Sequence, residues 1–576
     1  MTNTHLIATS LKILLSKVEA VQTLLDDGNT IPFIARYRKE ATGGLDEDQL
    51  RDINEELNRL RLLDDRRETI LKSIQEQGLL SAELKNKIDA ADSRSELEDL
   101  YLPYKPKRKT KASIAHENGL DPLAEMILQQ DLTNQTLVEI AKPFLNENIK
   151  TTGDAWQGAR DIAAETISDQ PQLRQALRKK ALLISEITTQ KKSKGEDPRQ
   201  VYQDYYEFTI PTNRIRPHQI LAINRAENEG ILQVKLSLPD ELWRDLIKTY
   251  FQENKNSPFL EVLREVIEDA ANRLLLPAIF RDVRRTLTEK AEESALQIFA
   301  KNLRSLLLQP PLTGYTVLGL DPGFRTGCKV AVVDPTGKPL YTGAIYPVPP
   351  QNQKEQARET LLQLIKKWNV SLIVIGNGTA SRETELFIGE MIKDLEDISY
   401  LITSEAGASV YSASKLAGRE LPDMDVSFRG AVSIARRIQD PLAELVKIDP
   451  QSLGVGMYQH DVNQGKLKSK LDQIVESVVN QVGVELNTAS PALLSFVSGI
   501  GPGLAERIVA YRNKEGLFNE RENLLDVPGM GEKTFQQAAG FLRIRDGNNP
   551  LDTTAIHPES YPAAQAVINQ AGIKLD

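Results

Sequence analysis

The sequence predicts a multidomain protein, mainly α, with one α/β domain in its second half. Three observations carry this. Apolar residues recur every three to four positions over most of residues 1–310, the period of helices with one buried face. After Pro310-Pro311 the pattern changes abruptly to short apolar strands. Near the end, two glycine turns repeat at thirty-residue spacing between short helices.

The chain has 576 residues. That is too many for one core, and about three to five units are expected. Residues 1–255 read as a helical region; LLSAELKNKIDAADSRSELEDLYL shows its period. Only EFTIP (207–211) and ILQVKLSL (231–238) alternate as strands do. Residues 256–310 read as a long central helix, and within its run 259–308 only Pro277 interrupts the period. They are expected to make one long kinked helix or two abutting ones. Residues 311–445 give strands TVLGLDPG, CKVAVVDPTG and PLYTGAIYPV, then helix, strand, helix, strand. This order belongs to an α/β layer domain. Residues 446–490 read as a helical connector and 491–556 as the glycine-hairpin region. Residues 557–576 close the chain as a tail, and the Pro- and Ala-rich stretch from Asn548 onward is expected to be weakly structured.

Net charge is −9, which argues against a histone-like positive coat but leaves local basic patches open. No stretch approaches the roughly 20 apolar residues of a membrane span, and the first residues, MTNTHLIATSLK, lack a basic leader. The single cysteine, Cys328, rules out an internal disulfide and a cysteine-rich zinc site. A cytoplasmic monomer, with no membrane contact, is the expectation.

The first glycine turn is Ser498-Gly499-Ile500-Gly501-Pro502-Gly503, and the second is Val527-Pro528-Gly529-Met530-Gly531. Each sets Gly-hydrophobic-Gly between short helices and resembles a helix-hairpin-helix motif; together they resemble its tandem form. Glycine lets backbone approach another surface closely, and free N–H groups at a helix start suit a phosphate. Such contact reads no base edge. Gly499, Gly501, Gly503, Gly529 and Gly531 are therefore candidate nucleic-acid contacts, with Lys514 and Lys533 as candidate added charge. Residues 498–547 hold seven basic and seven acidic side chains, so a modest affinity is expected of this module alone. A second basic candidate is the loop bearing Lys105, Lys107, Arg108, Lys109 and Lys111, just after Tyr101 and Tyr104. Phosphate contact with base stacking stands beside the plainer option of a solvated loop. Arg178-Lys179-Lys180 and Lys191-Lys192-Lys194 are weaker basic runs, and Arg36, Arg38 and Lys39 are open to pairing with acids inside the fold.

Asp321, in Leu318-Gly319-Leu320-Asp321-Pro322-Gly323, ends the first strand of the α/β domain. An acid there occurs in RNase H-like folds, where it helps hold Mg²⁺; a related ATP-binding fold uses a similar turn. Metal-assisted phosphodiester cleavage needs acids from several strands. Glu405 is the candidate second acid; Glu383 and Glu385 read as helix residues. The third is expected at the start of the last helix, where the chain offers Arg429, Gly430 and Ala431, with Asp423 and Asp425 upstream. Asp321 and Glu405 stand as the catalytic candidates without a third acid, and Mg²⁺ is expected only if this site is active. No Walker-type phosphate loop occurs.

Several segments together resemble the Tex family of transcription accessory proteins. They are Ile31-Pro32-Phe33-Ile34-Ala35-Arg36-Tyr37-Arg38-Lys39-Glu40, Leu97 to Arg108, Leu318 to Gly327, and Ser433-Ile434-Ala435-Arg436-Arg437 running on to Val462. The resemblance covers essentially the whole chain. It implies a helix-turn-helix-like part within residues 1–255, a YqgF-type RNase H-like domain over 311–445 and tandem helix-hairpin-helix motifs. It also implies a C-terminal OB-fold RNA-binding domain, for which the residues after Tyr561 leave no room; whether that domain has been trimmed away stays open. With the paired glycine turns and the missing third acid, the expected function is sequence-independent RNA or DNA binding as a transcription accessory protein, with a nuclease-like domain that does not cleave. Two alternatives stay open: a Mg²⁺-dependent nuclease or junction resolvase using Asp321 and Glu405, and an adaptor bound to RNA polymerase or the ribosome.

Overall fold

The computed structural model describes residues 2–106 and 109–572; Lys107 and Arg108, two of the candidate phosphate contacts, lie outside the described residues. The chain forms two compact units, Glu55–Ala295 and a unit made from both ends, Met1–Asn54 with Leu296–Asp576.

Unit Glu55–Ala295 is built around helix Thr152–Asp169. Its buried Ala155, Ala159, Ala163 and Ala164 let neighbouring helices approach closely, and Leu123, Trp243, Phe259 and Ile279 fill the space around them. A buried acid, Asp99, holds Arg174 at 2.9 Å and Arg178 at 2.7 Å, and Arg178 also reaches Asp282. Arg178, the head of one candidate basic run, is therefore committed to an internal ion pair. Strands β1 (Glu186–Lys191), β2 (Glu207–Pro211) and β3 (Leu232–Ser237) form an antiparallel sheet in the order β2-β1-β3. The alternating segments at 207–211 and 231–238 are β2 and β3. Strand β1 was not expected, although its buried Ile187 and Thr189 alternate with outward Glu186, Thr188 and Gln190.

The central helical stretch is one continuous run of 48 residues: Leu260–Asp269, a π-helical segment Ala270–Leu275, and Leu276–Leu307. Pro277 has no N–H for the carbonyl four residues back, and its ring crowds that carbonyl. The wider π turn just before it absorbs the misfit, so the proline interrupts the hydrogen bonds and not the helix.

The other unit carries the five-stranded sheet: β4 (Val317–Asp321), β5 (Cys328–Val333), β6 (Pro339–Ile345), β7 (Leu372–Gly376) and β8 (Ser399–Thr403). Their order is β6-β5-β4-β7-β8, with β4, β7 and β8 parallel and β5 antiparallel to its neighbours. One face packs Leu318, Leu320 and Ile375 against Leu361, Ile365 and Phe387. The other packs Val317 and Val374 against Ala431, Ile434 and Ala435 of helix Val426–Gln439. That helix lies so close on β4 that a Cβ at Gly319 would sit 2.5 Å from the Ala431 carbonyl oxygen. The contact fixes which helix residues overhang the strand ends.

Helix Ile31–Tyr37, from the family-like IPFIARYR segment, packs on the glycine-hairpin region of the same unit. The Tyr37 hydroxyl donates to the Gly540 and Ala555 carbonyls at 2.6 and 3.1 Å, and Arg38 forks onto Glu559 at 3.0 and 3.2 Å. The stretch after Asn548 is structured, contrary to expectation. It contains 3₁₀ turns at Pro550–Thr553 and Pro558–Ser560 and helix Tyr561–Ala571. The cause is Arg521, only 1% exposed. Its guanidinium donates to the carbonyls of Leu542, Thr554 and Ile556 and to the Tyr561 hydroxyl. Buried donors of this kind require partners, and here the tail supplies them. Strands β9 (Val484–Glu485) and β10 (Leu542–Arg543) add a short parallel pair.

Candidate nucleic-acid interface and acidic site

Asp321 and Glu405 are brought to one end of the sheet. Asp321 closes β4, and Glu405 follows β8 by two residues. The turn Gly376-Asn377-Gly378 after β7 cradles the Glu405 carboxylate: Cβ atoms at Gly376 and Gly378 would lie 2.5 and 1.6 Å from its oxygens. The Asn377 side chain accepts the Glu405 backbone N–H at 3.1 Å. Burial, helped by the Glu405 charge, pushes the Asp321 carboxyl up to about 6 against the pull of Lys329 and Arg437. Burial also raises Glu405, opposed by the Gly378 backbone and Arg437.

Two cations flank the acids. Lys329 pairs across the ladder from Asp321 and bonds the Thr326 carbonyl. Arg437 is 3% exposed and donates to the Ser404 carbonyl at 2.6 Å. Its Nε and Nη2 have no hydrogen-bond partner, nor does Glu405 Oε2. Burial lowers Arg437 to about 10, so it stays charged at neutral pH. The residue of helix Val426–Gln439 that faces Asp321 is Gly430: a Cβ there would lie 2.8 Å from Asp321 Oδ2. Asp425 instead caps that helix by accepting from Ser427, and Glu383 and Glu385 lie on helix Ser381–Ile392, as expected. The residues present do not fit a two-metal nuclease site. Two carboxylates converge where a cluster is needed, a glycine stands at the third position, and the Arg437 guanidinium, held by the Ser404 carbonyl, adds a fixed positive charge nearby. Among the described residues no group of three or more His, Cys, Asp or Glu is placed to hold a metal.

The glycine hairpins show the opposite arrangement. Gly499 and Gly529 have φ of 79° and 88°, a region open to glycine at little cost. Gly501 and Gly531 head helices Pro502–Glu515 and Glu532–Ala538 in extended conformation, φ −82° and −94°. Any residue adopts that conformation, and nothing lies within 4 Å of a Cβ at either position. The fold therefore needs glycine at 499 and 529 and makes no demand for it at 501 and 531. Gly503 is exposed in the first turn of its helix.

The candidate lysines are less well placed. Lys514 sits in the last turn of helix Pro502–Glu515, paired with Glu515 at 2.6 Å. At 1.5 Å rise per residue it is on the order of 20 Å from the Gly501 end. Lys533 donates to the Asp27 carbonyl. The cation lying at the turns is Arg507, which sequence reasoning passed over; its Nε donates to the Pro528 carbonyl at 2.7 Å. A cleft of about 960 Å³ opens beside the first turn, but it is lined by Asp449, Asp472 and Glu476 as well as Lys468, a poor match for phosphate. In the other unit Lys105 and Lys109 are exposed. Tyr101 is not a stacking platform: it is 8% exposed, bonded to Ser73 at 2.9 Å and covered by Arg66.

Comparison with known proteins agrees with this architecture. Residues 1–75 match a Tex-like protein N-terminal domain, 133–299 a Tex central region, and 315–439 a Tex protein YqgF-like domain. Residues 479–543 match a helix-hairpin-helix motif and 549–576 a further domain of that type. The chain is 47% identical to the transcriptional accessory protein Tex of Neisseria gonorrhoeae, over 100% of this chain and 76% of that protein. It is 45% identical to protein YhgF of Escherichia coli, over 96% of this chain and 73% of the relative. A human S1 RNA-binding domain-containing protein 1 is 36% identical over 95% of this chain and 61% of its own length. Among the described residues no helix is long and apolar enough to cross a membrane. With identity at this level over the full chain, and domain matches in the same order as the folded regions, the protein belongs to the Tex family of transcription accessory proteins.

Proposed function

We propose that this protein binds the sugar–phosphate backbone of RNA or DNA without reading sequence, as a transcription accessory factor, and that its nuclease-like domain serves as scaffold and does not cleave. One observation carries the reading: Gly501 and Gly531 are helix N-caps in an extended conformation that does not require glycine, with nothing within 4 Å of a Cβ, set bare at the heads of paired hairpins. Bare backbone suits close approach of another backbone. The glycine at 430 and the guanidinium of Arg437 support the non-cleaving half. The reading calls for no cofactor and is of a cytoplasmic monomer, with RNA polymerase or the ribosome as the protein partner to test.

The test combines binding and cleavage. Labelled single- and double-stranded RNA and DNA are incubated with the protein, its Asp321→Asn variant and a Gly501→Leu/Gly531→Leu double variant, in Mg²⁺, Mn²⁺ or EDTA. Expected are retained shifts and intact substrate for the first two. For the double variant binding should weaken at least about tenfold, with at most about 1 kcal/mol of helix capping lost per site. Metal-dependent cleavage abolished by Asp321→Asn would establish the nuclease reading instead, and an unaltered affinity in the double variant would remove the hairpins from the interface.

A further inference from the structure

The two hairpins pack on each other by exchange. Arg507 lies six residues after Gly501, and Gln537 six after Gly531. Each touches the positive-φ glycine of the other hairpin. A Cβ at Gly529 would lie 2.7 Å from Arg507 Nη2, and one at Gly499 3.2 Å from Gln537 Cβ. These equivalent positions have different surroundings. Gln537 is 5% exposed; its side chain accepts from the Thr30 N–H at 3.3 Å and donates to the Gly28 carbonyl at 3.0 Å. Around it Lys533 bonds the Asp27 carbonyl, and the Thr30 and Ser498 hydroxyls pair. Residues 27–30 thus close that side of the pair.

The Arg507 side is open. Arg507 is exposed, and its bond to the Pro528 carbonyl holds the guanidinium against the second turn. Nη1 lies 3.7 Å from a Cβ position at Gly503 in the first turn, so one cation reaches both turns. Among the described residues its Nη1 and Nη2 make no hydrogen bond or ion pair. The neighbouring Glu506 is paired with Arg419 at 3.4 Å.

We propose that Arg507 is a direct backbone-phosphate contact and makes the hairpin pair one-sided, its Gln537 face being sealed by the N-terminal segment. This rests on the nucleic-acid-binding reading above and names the group that delivers the charge. Arginine suits the role: with one fork nitrogen fixed on a carbonyl, the other two keep donors for a bidentate contact to phosphate oxygens, which a lysine cannot reproduce.

The experiment uses the full chain, a fluorescein-labelled duplex DNA, a single-stranded RNA of the same sequence, and a KCl series. Arg507→Ala should weaken binding about fivefold to tenfold at low salt. It should make the slope of log affinity against log salt shallower by about one, with an unchanged melting temperature. Arg507→Lys should restore the slope and only part of the affinity. If Arg507→Ala keeps wild-type affinity and slope while Gly501→Leu/Gly531→Leu loses binding, this proposal is overturned and the broader reading stands. If the wild-type protein shifts neither probe, both fall.

Discussion

At the end of the sheet, Asp321 and Glu405 are half-buried, Glu405 cradled by Gly376 and Gly378 and both near the charged Arg437. At the hairpins, Gly501 and Gly531 leave backbone bare and Arg507 exposed. The first site has the groups of an enzyme and turns them inward; the second has few charged groups and presents them. Burial raises both carboxyls, and the Arg437 guanidinium opposes that only in part. The difference teaches that residue type alone is a poor guide to a working site, and that which groups remain free is a better one.

The largest expected effect tests how the exposed side is held in place. Arg521 gathers the carbonyls of Leu542, Thr554 and Ile556 inside the hairpin module, while Asp552 accepts the Arg521 backbone N–H at 2.9 Å and the Tyr561 hydroxyl at 2.5 Å. Arg521→Met should cost about 3–5 kcal/mol, the usual range for breaking a buried charged network. Chemical denaturation would show it. A loss below about 1 kcal/mol would mean that the tail packs without this arginine.

A smaller effect concerns the acidic site. Asp321 titrates near 6 in the native protein against an ordinary 3.8. Between those values the native state keeps a proton that the unfolded chain has released, so stability falls as pH rises through this window. Above about 6 the cost is complete. Asp321→Asn cannot ionise and should be more stable than wild type at pH 7, by about 1–3 kcal/mol. The gap should close below pH 4. A gap independent of pH would show that the carboxylate is not held against its charge, and that the sheet end is a better metal site than its geometry implies.

Much of the fold was legible. The succession of strands and helices after Leu318-Gly319-Leu320-Asp321, the strands at 207–211 and 231–238, and the lack of an acid among Arg429, Gly430 and Ala431 follow from local patterning; that Gly430 is the one facing Asp321 required the fold. The rest depends on partners remote in sequence. Tyr37 meets Gly540 across 503 positions, so nothing near residue 37 marks it as part of the hairpin module. Arg521 orders the tail from outside it. Strand β1 is six residues long amid helical sequence, too short for its alternation to stand out. Lys514 and Lys533 were natural candidates by charge. That one pairs at the far end of its helix and the other bonds a carbonyl of the N-terminal segment is visible only once the chain is folded. The offset of six from each extended glycine was the one signal that pointed to Arg507.

The smallest expected effect separates the hairpins from the basic loop of the other unit. Lys105 and Lys109 are exposed, but with Tyr101 buried the loop has lost one of its two candidate stacking rings. Any contribution from its lysines is then electrostatic and screened within about 10 Å at ordinary salt. Charge reversal of both, Lys105→Glu with Lys109→Glu, should make the salt slope shallower by less than about half a unit and change affinity about twofold near physiological salt. A slope identical to wild type would place the loop off the interface and leave Arg507 and the bare turns as the contact. A loss matching that of the glycine double variant would mean instead that charge in the central region matters as much as open backbone, and the contrast between enclosed and exposed groups would have to be drawn between the acidic site and two binding surfaces.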